Sequence, residues 1–315
     1  MKYEVKKYVE QDYNIWNDFI DQAKNATFLF HRDFMEYHQD RFEDFSLLVY
    51  ENQKLVAVLP ANIKDKELYS HQGLTYGGLV YSKKIKTEKV ELILDAILVF
   101  LKENNVQAFY YKPIPGFYFS HGNNEIDFFL FKRGAVLDHK EMNLVINLKE
   151  ELRISKSKLK HFRRIENLQL EIVEEADFEP FWEQVLQPRL LAKYDAKPVH
   201  TKEEIYFLKQ NFCKNIKQFS VYQEHEIIAG ITIFEGERVV KSQYGATSKK
   251  GEKVRALDFL FISLIEKYQR EGKSFFDMGI VNEEDEKGYN PGLLTQKEEL
   301  GCSVYNQDFY KINLK

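Results

Sequence analysis

Val90-Glu91-Leu92-Ile93-Leu94-Asp95-Ala96-Ile97-Leu98-Val99-Phe100-Leu101 is answered 167 residues later by Leu257-Asp258-Phe259-Leu260-Phe261-Ile262-Ser263-Leu264-Ile265-Glu266-Lys267-Tyr268. In the first stretch Val90, Ile93, Leu94, Ile97, Leu98 and Leu101 recur at the three- and four-residue steps of one helix face. In the second, Leu257, Leu260, Phe261, Leu264, Ile265 and Tyr268 keep the same spacing. Each pattern runs into a residue suited to ending a helix, Asn105 or Gly272. Each is then followed by an apolar run that reads as a strand, Gln107–Tyr111 or Ser274–Met278.

The match extends upstream. Leu47–Tyr50 and Leu55–Leu59, with a polar turn between them, read as a hairpin. Phe219–Tyr222 and Ile227–Ile231 read as another, with Ala229 standing 172 residues after Ala57. A third strand in each half is expected to end in an aromatic-glycine step, Tyr76-Gly77 or Tyr244-Gly245. Trp16 and Trp182 open the two halves. Four elements in one order at nearly constant offset make a duplicated unit: helix, antiparallel meander, amphipathic helix, strand. The fold class is therefore α+β with a mixed sheet. The domains are residues 1–150 and 151–315. Leu144–Leu148 reads as the closing strand of the first, and Leu168–Ile172, strictly alternating, as the opening strand of the second.

Composition bounds the function. The chain has 315 residues, 44% hydrophobic and 30% charged, with net charge −4. That balance fits two globular domains and excludes the broad basic surface of a DNA binder. No apolar run is long enough to span a bilayer, and the N-terminal residues lack the apolar stretch of a signal peptide. Two cysteines, Cys213 and Cys302, make neither a disulfide framework nor a zinc site, and are read as buried or neutral. The expected location is the cytoplasm. His31 and His38, seven residues apart on one expected helix, lack a third ligand, so no metal is expected.

A strand running through a loop into a long helix, inside a mixed sheet, resembles the GNAT acyltransferase fold. The junction in the second half is Ala246-Thr247-Ser248-Lys249-Lys250-Gly251-Glu252-Lys253-Val254-Arg255-Ala256-Leu257. It loosely resembles the loop that grips the pyrophosphate of an acyl-CoA in that superfamily. Two such units in one chain resemble the Fem-type aminoacyl transferases of peptidoglycan synthesis and the FemAB-like proteins near them. The residues that carry this likeness run in order. They are Ser155 to Asn167 with Leu168–Ile172, Lys197-Pro198-Val199-His200, Ser242-Gln243-Tyr244-Gly245-Ala246, Phe275-Phe276-Asp277-Met278-Gly279, and Tyr289-Asn290-Pro291-Gly292-Leu293 with Gln296–Gly301. In the first half Ser70–Gly78 occupies the place of a Fem strand, without its proline and arginine.

The resemblance implies two tandem GNAT-like domains and transfer of an acyl or aminoacyl group to an amine of a cell-envelope or polysaccharide precursor. The first domain would hold the acceptor and the second the donor and the catalytic groups. Acyl-CoA is the implied cofactor, with aminoacyl-tRNA as the alternative donor. The implied partner is a small or lipid-linked anionic acceptor, with peripheral membrane contact. A third reading is a non-catalytic scaffold of polysaccharide assembly.

Site candidates follow, each beside a plainer reading. His200 is the acid/base candidate, since imidazole titrates near neutrality. It also stands at a helix start, where Thr201 and Glu204 form a capping box. Asp277 closes an apolar strand and needs a partner there. Lys297, with Glu298 beside it, offers a cation to a developing oxyanion, or a plain surface ion pair. Tyr244 is a proton donor or a packed ring, and Gln243 beside it faces substrate or core. Asn290 comes in with the closing signature. Lys249, Lys250, Gly251 and Arg255 are the cofactor candidates, although Arg255 can also pair with Asp258 one turn on. Lys160, Arg163 and Arg164 belong to the run Lys156–Arg164, a cationic seat for an anionic substrate or a solvated helix face. His71 and Tyr76 mirror the second half and would line the acceptor pocket.

Overall fold

A computed structural model describes residues 3–165 and 168–314. Asn167, at the end of the Fem-like basic segment, lies outside them, as do Met1 and Lys2 at the start. The chain forms two compact units, Met1–Lys140 with Gln307–Lys315, and Glu141–Asn306.

In the first unit the hairpin Leu47–Glu51 and Lys54–Leu59 is extended by Tyr3–Lys7 on one side and Val80–Tyr81 on the other. Helix Thr87–Glu103 lays the six-residue stripe from Val90 to Leu101 into the core, every member 9% exposed or less. Burying each such side chain is worth about 1.5–3 kcal/mol. Asn105, at φ 59°, turns the chain out of that helix in the left-handed conformation. The strand Ala108–Tyr111 pairs parallel with Glu67–Tyr69 and antiparallel with Tyr310–Asn313. Ile312 and Leu314 thereby join the first core.

In the second unit the strands run in the order Glu171–Glu175, Ile216–Gln223, Glu226–Glu235, Val239–Thr247, Phe275–Ile280 and the Asn143–Asn147 segment. All neighbours are antiparallel except Val239–Thr247 with Phe275–Ile280. Helix Ala256–Arg270 buries Leu260, Phe261, Leu264, Ile265 and Tyr268 against this sheet, with Leu257 partly covered. Gly272, at φ 79°, leads out of it.

Several local expectations change. Tyr76-Gly77 and the rest of Ser70–Gly78 belong to no strand. Gly77 runs so close to Ser70 that an added Cβ would meet its carbonyl oxygen at 1.5 Å, which a regular ladder does not require. The strand expected at Leu168–Ile172 begins only at Glu171, after Gln169 turns at φ 49°. His31 and His38 do not share a helix. His31 caps Arg32–Met35, and His38 ends the separate turn Glu36–His38. Cys302 is buried, but Cys213 is exposed at the end of a helix.

Candidate functional site

The one parallel strand pair of the second unit breaks off early. Its register covers only Val239↔Phe275, Val240↔Phe276 and Lys241↔Asp277. Both strands turn irregular just past that point. On one, Thr232 faces Tyr244 while Ile233 faces Ser242, so Gln243 is the extra residue of a bulge. On the other, the register slips between Asp277 and Ile280, and Gly279 sits at φ 78°. The two strands therefore part, leaving backbone groups of Ser242–Thr247 and Met278–Ile280 outside this ladder. Gln243 Oε1 is buried there with no hydrogen-bond partner among the described residues. A buried acceptor of this kind calls for a donor.

The first unit treats the same place differently. Tyr111 is buried, and its hydroxyl accepts the Leu79 N–H at 2.9 Å. A Cβ on Gly78 would stand 2.7 Å from that hydroxyl.

Tyr244 lies at the parting and meets His200. The phenol oxygen is 2.5 Å from His200 Nδ1 and accepts the His200 backbone N–H at 3.2 Å. One proton is shared along the shorter contact. Burial pushes the Tyr244 hydroxyl up to about 12, with neighbouring N–H donors from His200 and Gln243 pulling the other way. Tyr244 therefore keeps its proton at neutral pH. The Trp182 ring packs edge-on at 5.1 Å. Trp182 begins a π-helical turn, Trp182–Leu186, a distortion often found at functional sites. Its indole N–H has no partner among the described residues.

His200 is placed by local sequence. The helix Gln187–Tyr194 ends at Asp195 in the left-handed conformation. The next begins at the Thr201 cap, whose hydroxyl accepts the Glu204 N–H while Glu204 returns a bond to Thr201 N–H. The intervening segment, stiffened by Pro198, delivers the 5%-exposed imidazole to Tyr244. It also walls a cleft of about 640 Å³ lined by Glu183, Gln187, Leu191, Pro198 and His200.

Asp277 and Lys297 form a second cluster at the base of the parting. Asp277 is 2% exposed, accepts the Gly279 N–H at 2.8 Å and faces Lys241 Nζ at 3.4 Å. Lys297 reaches from helix Pro291–Glu299 and donates to the Gly279 and Ile280 carbonyls at 3.0 and 2.8 Å. Burial, and after it the charge of Lys241, lower its pKa to about 8. Glu298 is exposed on the same helix. Asn290 is the cap of that helix, accepting from Leu293 N–H and donating to Glu283.

The expected phosphate loop is a short helix, Lys249–Val254. Ser248 caps it by accepting the Gly251 N–H at 3.1 Å. Gly251 packs so tightly that a Cβ would meet Ile228 O at 2.2 Å and Thr247 Oγ1 at 2.3 Å. Lys250 pairs with Glu226 at 2.8 Å, and Lys249 is exposed. Arg255 does not pair with Asp258, because Lys158 does, at 2.7 Å. Arg255 instead stands in the left-handed conformation at the start of helix Ala256–Arg270. The basic run is helix Lys156–Ile165, held to that long helix by Lys158 and by Phe162 against Phe259. His161 registers the resulting field. Desolvation lowers its pKa first, and Arg255, Arg164 and Lys160 lower it further. Arg255 stands at the start of helix Ala256–Arg270, and Lys160, Arg163, Arg164 and Arg255 are all exposed.

Two first-unit candidates separate. Tyr76 donates to Thr27 Oγ1 at 3.0 Å and packs on Phe30 and Tyr118. His71 is 4% exposed and faces a different cluster around Arg32. The sequence did not mark Lys241 or Arg32, and marked Trp182 only as the opening of the second half. A lysine inside the run Val239–Gln243 is the one available signal for the first.

No known family profile matches the chain, and no curated protein matches it in sequence. Solved structures do. FemX superposes with a TM-score of 0.69 over 98% of this chain and 97% of its own, at 11% identity. L-PGS from Bacillus licheniformis gives 0.60 over 85% and 83%, at 13% identity. A tandem GNAT protein from the clavulanic acid biosynthesis pathway gives 0.55 over 99% of each chain, at 9% identity. At such identities the likeness is one of fold. The duplicated helix stripes, the parted parallel strands and these superpositions together give this chain the tandem GNAT fold shared by the Fem-type and GNAT acyltransferases.

Proposed function

We propose that this chain is an N-acyltransferase or aminoacyltransferase of the cytoplasm, acting on an amine of a cell-envelope or polysaccharide precursor. The observation that carries the reading is the His200–Tyr244 contact, standing where the parallel strands part and beside an open cleft. Direct transfer needs an amine that loses a proton and a leaving group that gains one. With Nδ1–H donated to Tyr244, His200 Nε2 takes the proton of the attacking amine. The imidazole passes its Nδ1 proton to the phenol oxygen, and the phenol gives its own to the leaving group. One proton enters, one leaves, and no covalent enzyme intermediate forms. Lys297 spends two N–H bonds on the Gly279 and Ile280 carbonyls, and its remaining N–H and charge favour the oxyanion. Asp277 and Lys241 hold that strand end in place.

The donor's anionic part would sit on Arg255, Arg164 and Lys160 at the start of helix Ala256–Arg270. These residues suit the phosphates of an acyl-CoA, which would supply the activated thioester. Lys249, Lys250 and Gly251 have a lesser part, since Glu226 and Ser248 already engage the last two. The exposed Lys156 and Arg163 extend the cationic face and favour a longer anion as second reading, an aminoacyl-tRNA. The acceptor, small or lipid-linked, completes the complex. Among the described residues no helix is long and apolar enough to cross a membrane.

Thermal unfolding with free CoA, acetyl-CoA, a nucleotide sugar and an aminoacyl-tRNA tests this. A ligand at a hundred times its dissociation constant stabilises by about 2.7 kcal/mol. Stabilisation by CoA that Arg255→Glu abolishes supports acyl-CoA as donor. Stabilisation by the tRNA alone moves the donor to the second reading. Silence with every donor, together with retained cellular function in His200→Asn, would make the chain a scaffold and end the enzymatic reading.

A further inference from the structure

Helix Lys202–Asn211 carries two stripes. Ile205 and Leu208 are buried. Glu203, Tyr206, Phe207 and Gln210 recur at the three- and four-residue steps of another face, and line a cleft of about 620 Å³. Tyr206 and Phe207 stay 48% and 45% exposed there. Asp177 and Phe178 belong to the same lining. This cleft is continuous with the one at His200, since Lys202 and Glu203 line both. Lys202 donates to Glu179 at 2.8 Å and to Glu183 at 2.6 Å. Glu179 lines the far cleft and Glu183 the near one, so this ion pair marks the border between them.

A chain of rings joins the same two ends. Phe178 packs on Trp182 with centroids 6.3 Å apart, Trp182 on Tyr244 at 5.1 Å, and Tyr244 on His200 at 5.8 Å. The indole N–H in the middle of that chain is buried with no partner among the described residues, and a ligand oxygen would give it one. The lining restricts the occupant. Four carboxylates, Asp177, Glu179, Glu183 and Glu203, stand against two lysines, Lys197 and Lys202, so an anionic chain is repelled. Half-exposed aromatic faces beside carboxylate and amide groups suit rings with apolar C–H faces and a hydroxyl rim. A bare acyl chain would leave those polar groups unpaired. The lining residues belong to helices and loops, not to a strand, so an extended peptide finds no ladder for its backbone groups. Each cleft alone is of the size that takes a drug-sized ligand, about 300–1,000 Å³, and two in line call for a chain.

We propose that the acceptor is an oligosaccharide chain bearing free amines. The sugar to be acylated lies at His200, and its neighbours run along the groove past Lys202 onto Tyr206 and Phe207. The amine rests on the acyl-transfer reading given above, whereas the chain rests on the groove.

Isothermal titration of the full protein with glucosamine and with its linear tetramer tests the proposal without any acyl donor. The tetramer is expected to bind about tenfold more tightly than the monomer. Tyr206→Ala and Phe207→Ala remove exposed side chains from a helix that alanine suits, so each should keep the parent's melting temperature. Each should weaken the tetramer about fivefold and leave the monomer unchanged. In a Trp16→Phe background the fluorescence of Trp182 should shift as the tetramer binds. Tetragalacturonate, an anionic chain of the same length, and a lysine-containing tetrapeptide should not displace it. Equal affinity for monomer and tetramer, no binding of the tetramer, binding that neither aromatic substitution alters, or displacement by either control would each overturn the proposal. A protein that binds the tetramer as expected but transfers no acyl group to it would retain the groove while refuting the catalytic reading. Acyl transfer to the monomer as fast as to the tetramer would retain that reading and remove the chain.

Discussion

Replacing Lys297 by methionine removes a charge that the fold keeps at a disadvantage. Lys297 is 6% exposed, and burial brings its pKa from 10.5 to about 8. That shift corresponds to about 3 kcal/mol against the charged form at neutral pH. The substitution relieves this but strips the Gly279 and Ile280 carbonyls of their donor, a loss of about 1–3 kcal/mol. The two effects oppose each other, so at pH 7 the variant should lie within about 2 kcal/mol of the parent. The pH dependence separates them. Between about pH 8 and pH 10.5 the folded parent has lost the Lys297 proton while the unfolded chain still holds it. The unfolded state then binds more protons, and stability rises with pH. By pH 10 the parent should gain about 2–3 kcal/mol on the variant relative to pH 7. Urea unfolding at several pH values, followed by Trp182 fluorescence in a Trp16→Phe background, reads the second unit alone. A difference between parent and variant that stays flat with pH would mean that Lys297 is not charged and buried as described. If Lys297 supports the oxyanion, transfer should also weaken as pH rises through about 8.

Other substitutions probe the remaining geometry. Tyr244→Phe deletes the partner of His200 Nδ1 and N–H, and should lower turnover about a hundredfold while its KM changes little; a loss confined to KM would assign the pair to binding. Gly251→Ala places a methyl group 2.2 Å from the Ile228 carbonyl, so calorimetry should show destabilisation of about 1–3 kcal/mol, whatever the fate of donor binding.

Periodicity carried much of the architecture. The stripes of Val90–Leu101 and Leu257–Tyr268 are dictated by which side chains can be removed from water, and that information is local. The left-handed turns at Asn105 and Gly272 are local too. Tyr76-Gly77 misled because an aromatic-glycine step is compatible with a strand, while the close approach to Ser70 that decides its path is made by a residue distant in the turn. The site divides the same way. Pro198 and the Thr201–Glu204 cap announce that His200 sits on a helix threshold. Its contact with Tyr244, 44 residues away, depends on sheet register. Asp258 could choose between Arg255 at one turn and Lys158 a hundred residues back, and no spacing rule predicts the distant choice. The Arg32 cluster was invisible for a further reason. Arg32 carries no pattern in the sequence that sets it apart, and only its burial shows that it faces inward.

The pairing of Tyr310–Asn313 with Ala108–Tyr111 has a consequence for biosynthesis. A ribosome delivers Thr87–Glu103 and its sheet early, yet Ile312 and Leu314, which belong to that core, emerge only after the whole second unit. The second unit, Glu141–Asn306, has all its strands in hand before the first can close. Nascent chains should therefore acquire protease resistance in reverse order of translation. A stop codon just after Asn306 should spare the later-made unit and leave the earlier-made one for quality control to destroy.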